Sequence, residues 1–236
     1  MIPGYRGVKL IATMRYLTPL LLVAAVLPVR AASDYTVYEL LAPSTHSFDI
    51  IYDVSIDREG AAFFFNPIRP GSVATNERVI DLATGSALEF GEVDAKTARD
   101  SGLVRGRIAD DQKYIRVKFT HPVAKNGEVR IRIYKTYTDP PSYYETPGSK
   151  SVLANCVIYD VPQSRVTGLC RNDSGFIFDR PLGIKRNVVV LPRGYELVGS
   201  QSPGMVSTDP DGRVRISFLN DRDDQLPVKI VGRKLP

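Results

Sequence analysis

The chain has 236 residues, 31 basic and 26 acidic, with two cysteines, two histidines and no tryptophan. Four of the basic residues (Arg6, Lys9, Arg15 and Arg30) and no acidic one fall within residues 1–31, so residues 32–236 carry 27 basic against 26 acidic side chains. That near-neutral balance, with no clustered basic face, excludes a nucleic-acid footprint.

The first element is a targeting signal. Arg6, Lys9 and Arg15 precede an apolar run that includes Leu17, Leu20, Leu21, Leu22, Val23, Ala24, Ala25, Val26 and Leu27, and Val29-Arg30-Ala31 offers small side chains at a cleavage position. This layout predicts a secretory signal peptide over residues 1–31 and export of residues 32–236 to the periplasm or the outside. The run is short of the about 20 residues that cross a bilayer, and Pro19 and Pro28 interrupt it. No stable membrane span is expected after cleavage; the alternative is an uncleaved N-terminal anchor.

Downstream, apolar residues recur with period two. Strands are predicted at residues 35–41, 48–56, 61–65, 78–82, 87–93, 103–108, 113–119, 128–137, 152–159, 176–178, 187–191, 196–200, 213–218 and 226–231. In the longest, Val129, Ile131 and Ile133 alternate with Arg130, Arg132 and Tyr134, which is one buried face and one wetted face. Turn chemistry separates the strands, as at Asp57-Arg58-Glu59-Gly60, Lys125-Asn126-Gly127 and Asp209-Pro210-Asp211-Gly212. One short helix is predicted near residues 94–101, stopped by Gly102. Strands at this spacing without intervening helices predict an all-β domain over residues 32–236, an antiparallel β-sandwich of immunoglobulin-like or saddle-like form. The Pro- and Tyr-rich stretch at residues 138–150 is expected to be an ordered loop and a boundary between sheets or subdomains.

Candidate chemistry is sparse. His46 and His121 have no HExxH motif, no close partner histidine and no cysteine beside them, and no G-x-S-x-G motif is present, so neither a metal site nor a catalytic set is predicted. Asp209, Asp211, Asp221, Asp223 and Asp224 lie in turns where tight-turn chemistry explains them better than calcium. Cys156 and Cys170 are expected to pair as a disulfide in an oxidising compartment, with two buried thiols as the alternative. The candidate binding residues are Tyr137, Tyr143 and Tyr144, as aromatics for a sugar or a partner's pocket, and Arg180, Lys185 and Arg186, as a cluster for an anion. The competing readings are tyrosines that close the sandwich end and a solvated basic turn.

Two stretches carry a resemblance. Residues 39–50 lead into Phe64-Phe65-Asn66-Pro67-Ile68-Arg69-Pro70-Gly71, and residues 180–197 include Arg180-Pro181-Leu182-Gly183-Ile184-Lys185-Arg186-Asn187. Together they resemble uncharacterised exported bacterial proteins across most of residues 32–236. The strand, Pro-x-Gly turn and strand at residues 190–200 also resembles the N-terminal β-domain of zinc aminopeptidases. That second resemblance implies a saddle-like sandwich without peptidase activity, because the helical zinc domain and HExxH are missing from these 236 residues. The expectation is a non-catalytic exported β-sandwich without cofactor, acting as a binding or scaffold module in the bacterial cell envelope with an envelope protein or glycan as partner. The alternative is a β-domain accessory to a separately encoded hydrolase or peptidase, or a hydrolase with an unrecognised site.

Overall fold

The computed structural model describes residues 34–104, 106–146 and 174–235. The expected signal at residues 1–31, the predicted strand at 152–159, and Cys156 and Cys170 lie outside the described residues.

Fourteen strands and one α-helix are described: β1 Tyr35–Leu40, β2 Ser47–Ile56, β3 Phe63–Ile68, β4 Val73–Asp81, β5 Phe90–Val93, α1 Ala95–Asp100, β6 Lys113–Lys118, β7 Val129–Thr138, β8 Tyr143–Thr146, β9 Gly175–Leu182, β10 Arg186–Val190, β11 Tyr195–Ser200, β12 Met205–Thr208, β13 Val214–Leu219 and β14 Leu226–Lys234. They form a seven-stranded sheet in the order β12-β13-β10-β1-β2-β7-β4, a four-stranded sheet β11-β14-β9-β8 and a three-stranded sheet β3-β6-β5. The chain passes from the first sheet to the second between β7 and β8, within the Pro/Tyr stretch.

The sandwich interior is aromatic. Phe48 of the first sheet meets Phe178 of the second edge-on, with ring centroids 5.5 Å apart and planes at 84°, and Tyr38 lies 6.0 Å from Phe178. Tyr143 and Phe176 continue the stack at 5.6 Å. Edge-to-face geometry is the preferred aromatic arrangement and adds about 1 kcal/mol per pair beyond area burial. The period-two pattern of β7 explains its place: Ile131 and Ile133 are fully buried, while Arg132 on the other face reaches Asp53 through Nε at 2.5 Å and Nη2 at 2.7 Å.

All but one of the strand pairings within the sheets are antiparallel. The exception is β1–β10, which runs parallel in register from Tyr35↔Arg186 to Glu39↔Val190. Val188, Val189 and Val190 of β10 are all buried, so this stretch has no wetted face. A continuous apolar run is the signature of a strand covered on both sides.

Other expectations shift. Residues 103, 104 and 106–108 form no strand; Leu103, Val104 and Ile108 pack instead with Phe65, Ala98 and Tyr114 beneath α1. The helix has the expected place, with Asp94 as its cap, the carboxylate accepting from Thr97 N–H at 2.8 Å. Two strands, β8 and β12, are additional to those expected.

Candidate functional site

The tyrosines of the Pro/Tyr stretch do not form an exposed platform. Tyr137 and Tyr143 are 1% and 0% exposed. Tyr137 is the last inward residue of β7, and its hydroxyl lies 3.4 Å from both the Pro67 carbonyl, to which it donates, and the Arg69 N–H, from which it accepts. Tyr143 opens β8, and its hydroxyl donates to the Leu41 carbonyl at 2.6 Å. Burial raises the phenol of each above its ordinary range. Pairing of β8 with β9 turns Tyr143 toward Phe178, while Tyr144, the next residue on the pleat, stays half-exposed. A turn-rich composition hides this, because β8 is only four residues long and is held by its backbone.

The expected basic cluster is divided between sheets. Arg180 belongs to β9 and is 12% exposed, paired at 2.6 Å with Asp139, which is 4% exposed. Its guanidinium also sits 5.5 Å from the Phe48 ring and 5.3 Å from Tyr137. Lys185 and Arg186 are exposed at the start of β10 in the other sheet; Arg186 lies 5.9 Å over the Tyr35 ring and donates to the Asp34 carbonyl at 3.4 Å. Arg180 therefore joins the core, and the three cations do not converge on one anion.

Room for a ligand is found elsewhere among the described residues. A recess of about 420 Å³ lies where β2 meets β3 and the segment after α1. Tyr52, Phe63, Phe64, Leu103 and Val104 supply its apolar wall, and Asp34 and Arg58 its polar groups. Phe64 packs against Tyr52, with centroids 6.4 Å apart, and Phe63, which also borders the recess, packs with Phe65, Ala98 and Tyr114. Arg58 is held by its Nη1 donating to the Gly102 carbonyl at 2.8 Å. Asp34 accepts from Ser55 N–H at 3.1 Å, and burial raises its carboxyl above the usual range. Burial likewise raises the Tyr52 phenol, and the neighbouring Asp34 charge adds to the shift. Half-buried aromatics beside a few fixed polar groups are the usual lining of a small-ligand recess. Phe63 and Phe64 were legible only as strand residues, because the recess is made by three segments distant in sequence.

A second groove, of about 340 Å³, gathers Asp81, His121, Glu128 and Arg130. Its chemistry is already committed. Asp81 accepts from Ala83 N–H at 2.7 Å and Thr84 N–H at 3.3 Å as a turn cap, and His121 is exposed. Among the described residues no hydrogen bond joins His121 to a carboxylate, and no group of three or more His, Cys, Asp or Glu side chains is placed to hold a metal ion. No described helix is long and apolar enough to cross a membrane.

No protein-family model matches the sequence, and no curated protein is similar to it. Among solved structures the chain is similar to an M1 zinc metallopeptidase from Deinococcus radiodurans, at 10% identity and TM-score 0.43, over 85% of this chain and 41% of that one. It is also similar to an aminopeptidase N family protein from Idiomarina loihiensis, at 9% identity and TM-score 0.39, over 84% of this chain and 29% of that one. The zinc aminopeptidases named by the sequence resemblance are thus also the structural neighbours. The chain spans less than half the length of either, and likeness this weak transfers no activity.

Proposed function

We propose that residues 32–236 act after export as a non-catalytic β-sandwich binding module of the bacterial envelope. The observation that carries this reading is the aromatic recess beside β2 and β3, whose apolar wall stands beside the carboxylates of Asp34 and Asp57 and suits a ligand group with one apolar and one polar side. About 420 Å³ holds one sugar ring or one large side chain of an envelope partner. Residues Phe63 and Phe64 provide the stacking faces, and Asp34 provides the polar anchor.

The test is capture by the mature chain, begun at Ala32, from the envelope fraction of its own source and from a glycan panel. Phe63→Ala and Phe64→Ala are expected to lower binding at least 10-fold while circular dichroism stays that of a folded sheet protein, since stacked aromatics contribute about 1–3 kcal/mol each. Unchanged binding in both variants would remove the recess from the account. Export is tested separately by N-terminal sequencing of the fractionated protein, which is expected to begin at Ala32; a product retained in the cytoplasm would overturn it.

A further inference from the structure

The three-stranded sheet runs β3-β6-β5, so β3 has a neighbouring strand on one edge only. Along an antiparallel pair the backbone groups of alternate residues point at the partner, and those between point away. Phe119 N–H donates to the Ala62 carbonyl at 3.0 Å, whereas Lys118 N–H turns to the Glu89 carbonyl, just before β5, at 2.9 Å. Phe63 lies opposite Lys118 and Phe64 opposite Val117. This alternation directs Ala62, Phe64 and Asn66 at β6 and leaves Phe63, Phe65 and Pro67 facing outward. The outward edge is closed at its far end. There the Tyr137 hydroxyl lies 3.4 Å from both the Pro67 carbonyl and the Arg69 N–H, and proline has no N–H to offer. At Phe63 and Phe65 the edge is open: among the described residues no hydrogen bond engages their N–H or C=O groups.

The recess of about 420 Å³ follows this open stretch, since it borders Phe63, Phe64 and Phe65 in succession. Successive side chains of a strand alternate between its faces. A cavity that borders three in a row therefore runs along the strand's edge, and the other edge is filled by β6. A residue laid beside Phe64 turns its side chain to the same wall, toward Tyr52 and Val54. Open edges are ordinarily blunted by bulges, prolines or charges. The β4 edge of the large sheet has such a bulge between Thr75 and Arg78, but Phe63-Phe64-Phe65 carries no charge and no proline. The charged residues of the recess wall are Asp34, Asp57 and Arg58. Arg58 is engaged by the Gly102 carbonyl, and Arg186 attracts the Asp34 carboxylate from outside the wall. The wall itself keeps an acidic excess, which a basic group complements.

We infer that the open edge of β3 is a strand-addition site for an extended peptide of an envelope protein, with one large apolar side chain in the recess and a basic one beside Asp34 and Asp57. Main-chain hydrogen bonds to Phe63 and Phe65 supply affinity, and the recess supplies side-chain selectivity. This rests on the recess being a binding site and commits it to a peptide instead of a sugar.

The experiment selects a random dodecapeptide display library on the mature chain and synthesises the tightest peptide. Amide hydrogen exchange, followed by NMR, reads the edge. The Phe64 and Asn66 amides are expected to exchange slowly throughout, and those of Phe63 and Phe65 to slow about 10-fold or more when the peptide binds. N-methylation of alternate peptide amides is expected to weaken binding about 10-fold in one register, where hydrogen bonds are lost, and to leave it nearly unchanged in the other. A peptide that binds without slowing the Phe63 and Phe65 amides, or that is indifferent to N-methylation, would overturn strand addition. Glycan capture that is lost in Phe64→Ala, with no peptide selected, would overturn strand addition and leave the recess a binding site. Failure of peptides and glycans alike would overturn both.

Discussion

At the scale of single residues, Lys135 is where local chemistry and burial conflict. Its folded pKa lies near 7, below the ordinary lysine value. Between about pH 7 and 10 the unfolded chain therefore holds a proton that the folded chain does not, and stability rises with pH across that window. Below pH 7 both states are protonated and the folded state carries the full penalty, on the order of 5 kcal/mol. Lys135→Met, which keeps the stem and removes the charge, is expected to raise the urea midpoint at pH 6 and to flatten the rise toward pH 10. A variant that kept the rise would assign it to another group. The parity of β7 already pointed inward at position 135, because Ile131 and Ile133 share that face. Its missing partner was not legible, since Arg180 and Glu77 come from other elements.

At the scale of elements, β9 and β14 show how tightly two strands can close. Gly232 pairs with Phe176, and a Cβ on Gly232 would run into the Phe176 ring; one on Gly175 would meet the Gly232 carbonyl. Gly232→Ala is expected to destabilise by about 2 kcal/mol, the range of an overpacked core position, read as a drop in the urea midpoint without a change in slope. A midpoint within error of the parent would show that the ring swings aside without loss. The same scale explains what sequence reading caught and missed. The helix α1 was legible from Asp94 and Gly102, a side-chain cap and a positive-φ stop, both local devices. The strand β12 was not: Met205, Val206, Ser207 and Thr208 are all exposed, so no alternation marks them, and backbone pairing with β13 makes the strand.

At the scale of the whole molecule, a nearly buried ion pair ties the two larger sheets, between Asp139 just after β7 and Arg180 on β9. Removing one member leaves the other as an uncompensated buried charge, which costs about 3–5 kcal/mol. Asp139→Ala is expected to lose that much in denaturant unfolding, and Asp139→Ala with Arg180→Met to recover part of it. Equal losses in the single and double variants would show that the ring packing of Arg180 over Phe48 and Tyr137 matters more than its charge.

The sequence by itself determined the all-β class, the position of most strands and the inward apolar rows Ile115-Val117-Phe119, Val129-Ile131-Ile133 and Val214-Ile216-Phe218. These follow from the two-residue repeat of the pleat and from turn residues whose backbone preferences are local. Only the tertiary structure decided that β1 and β10 run parallel, that Tyr137 and Tyr143 are core, that Arg180 parts from Lys185 and Arg186, and that Tyr52, Phe63 and Phe64 share a recess. Each of these depends on which distant strands become neighbours. Local spacing does not encode that choice; it is made when buried faces from separate parts of the chain are closed against one another.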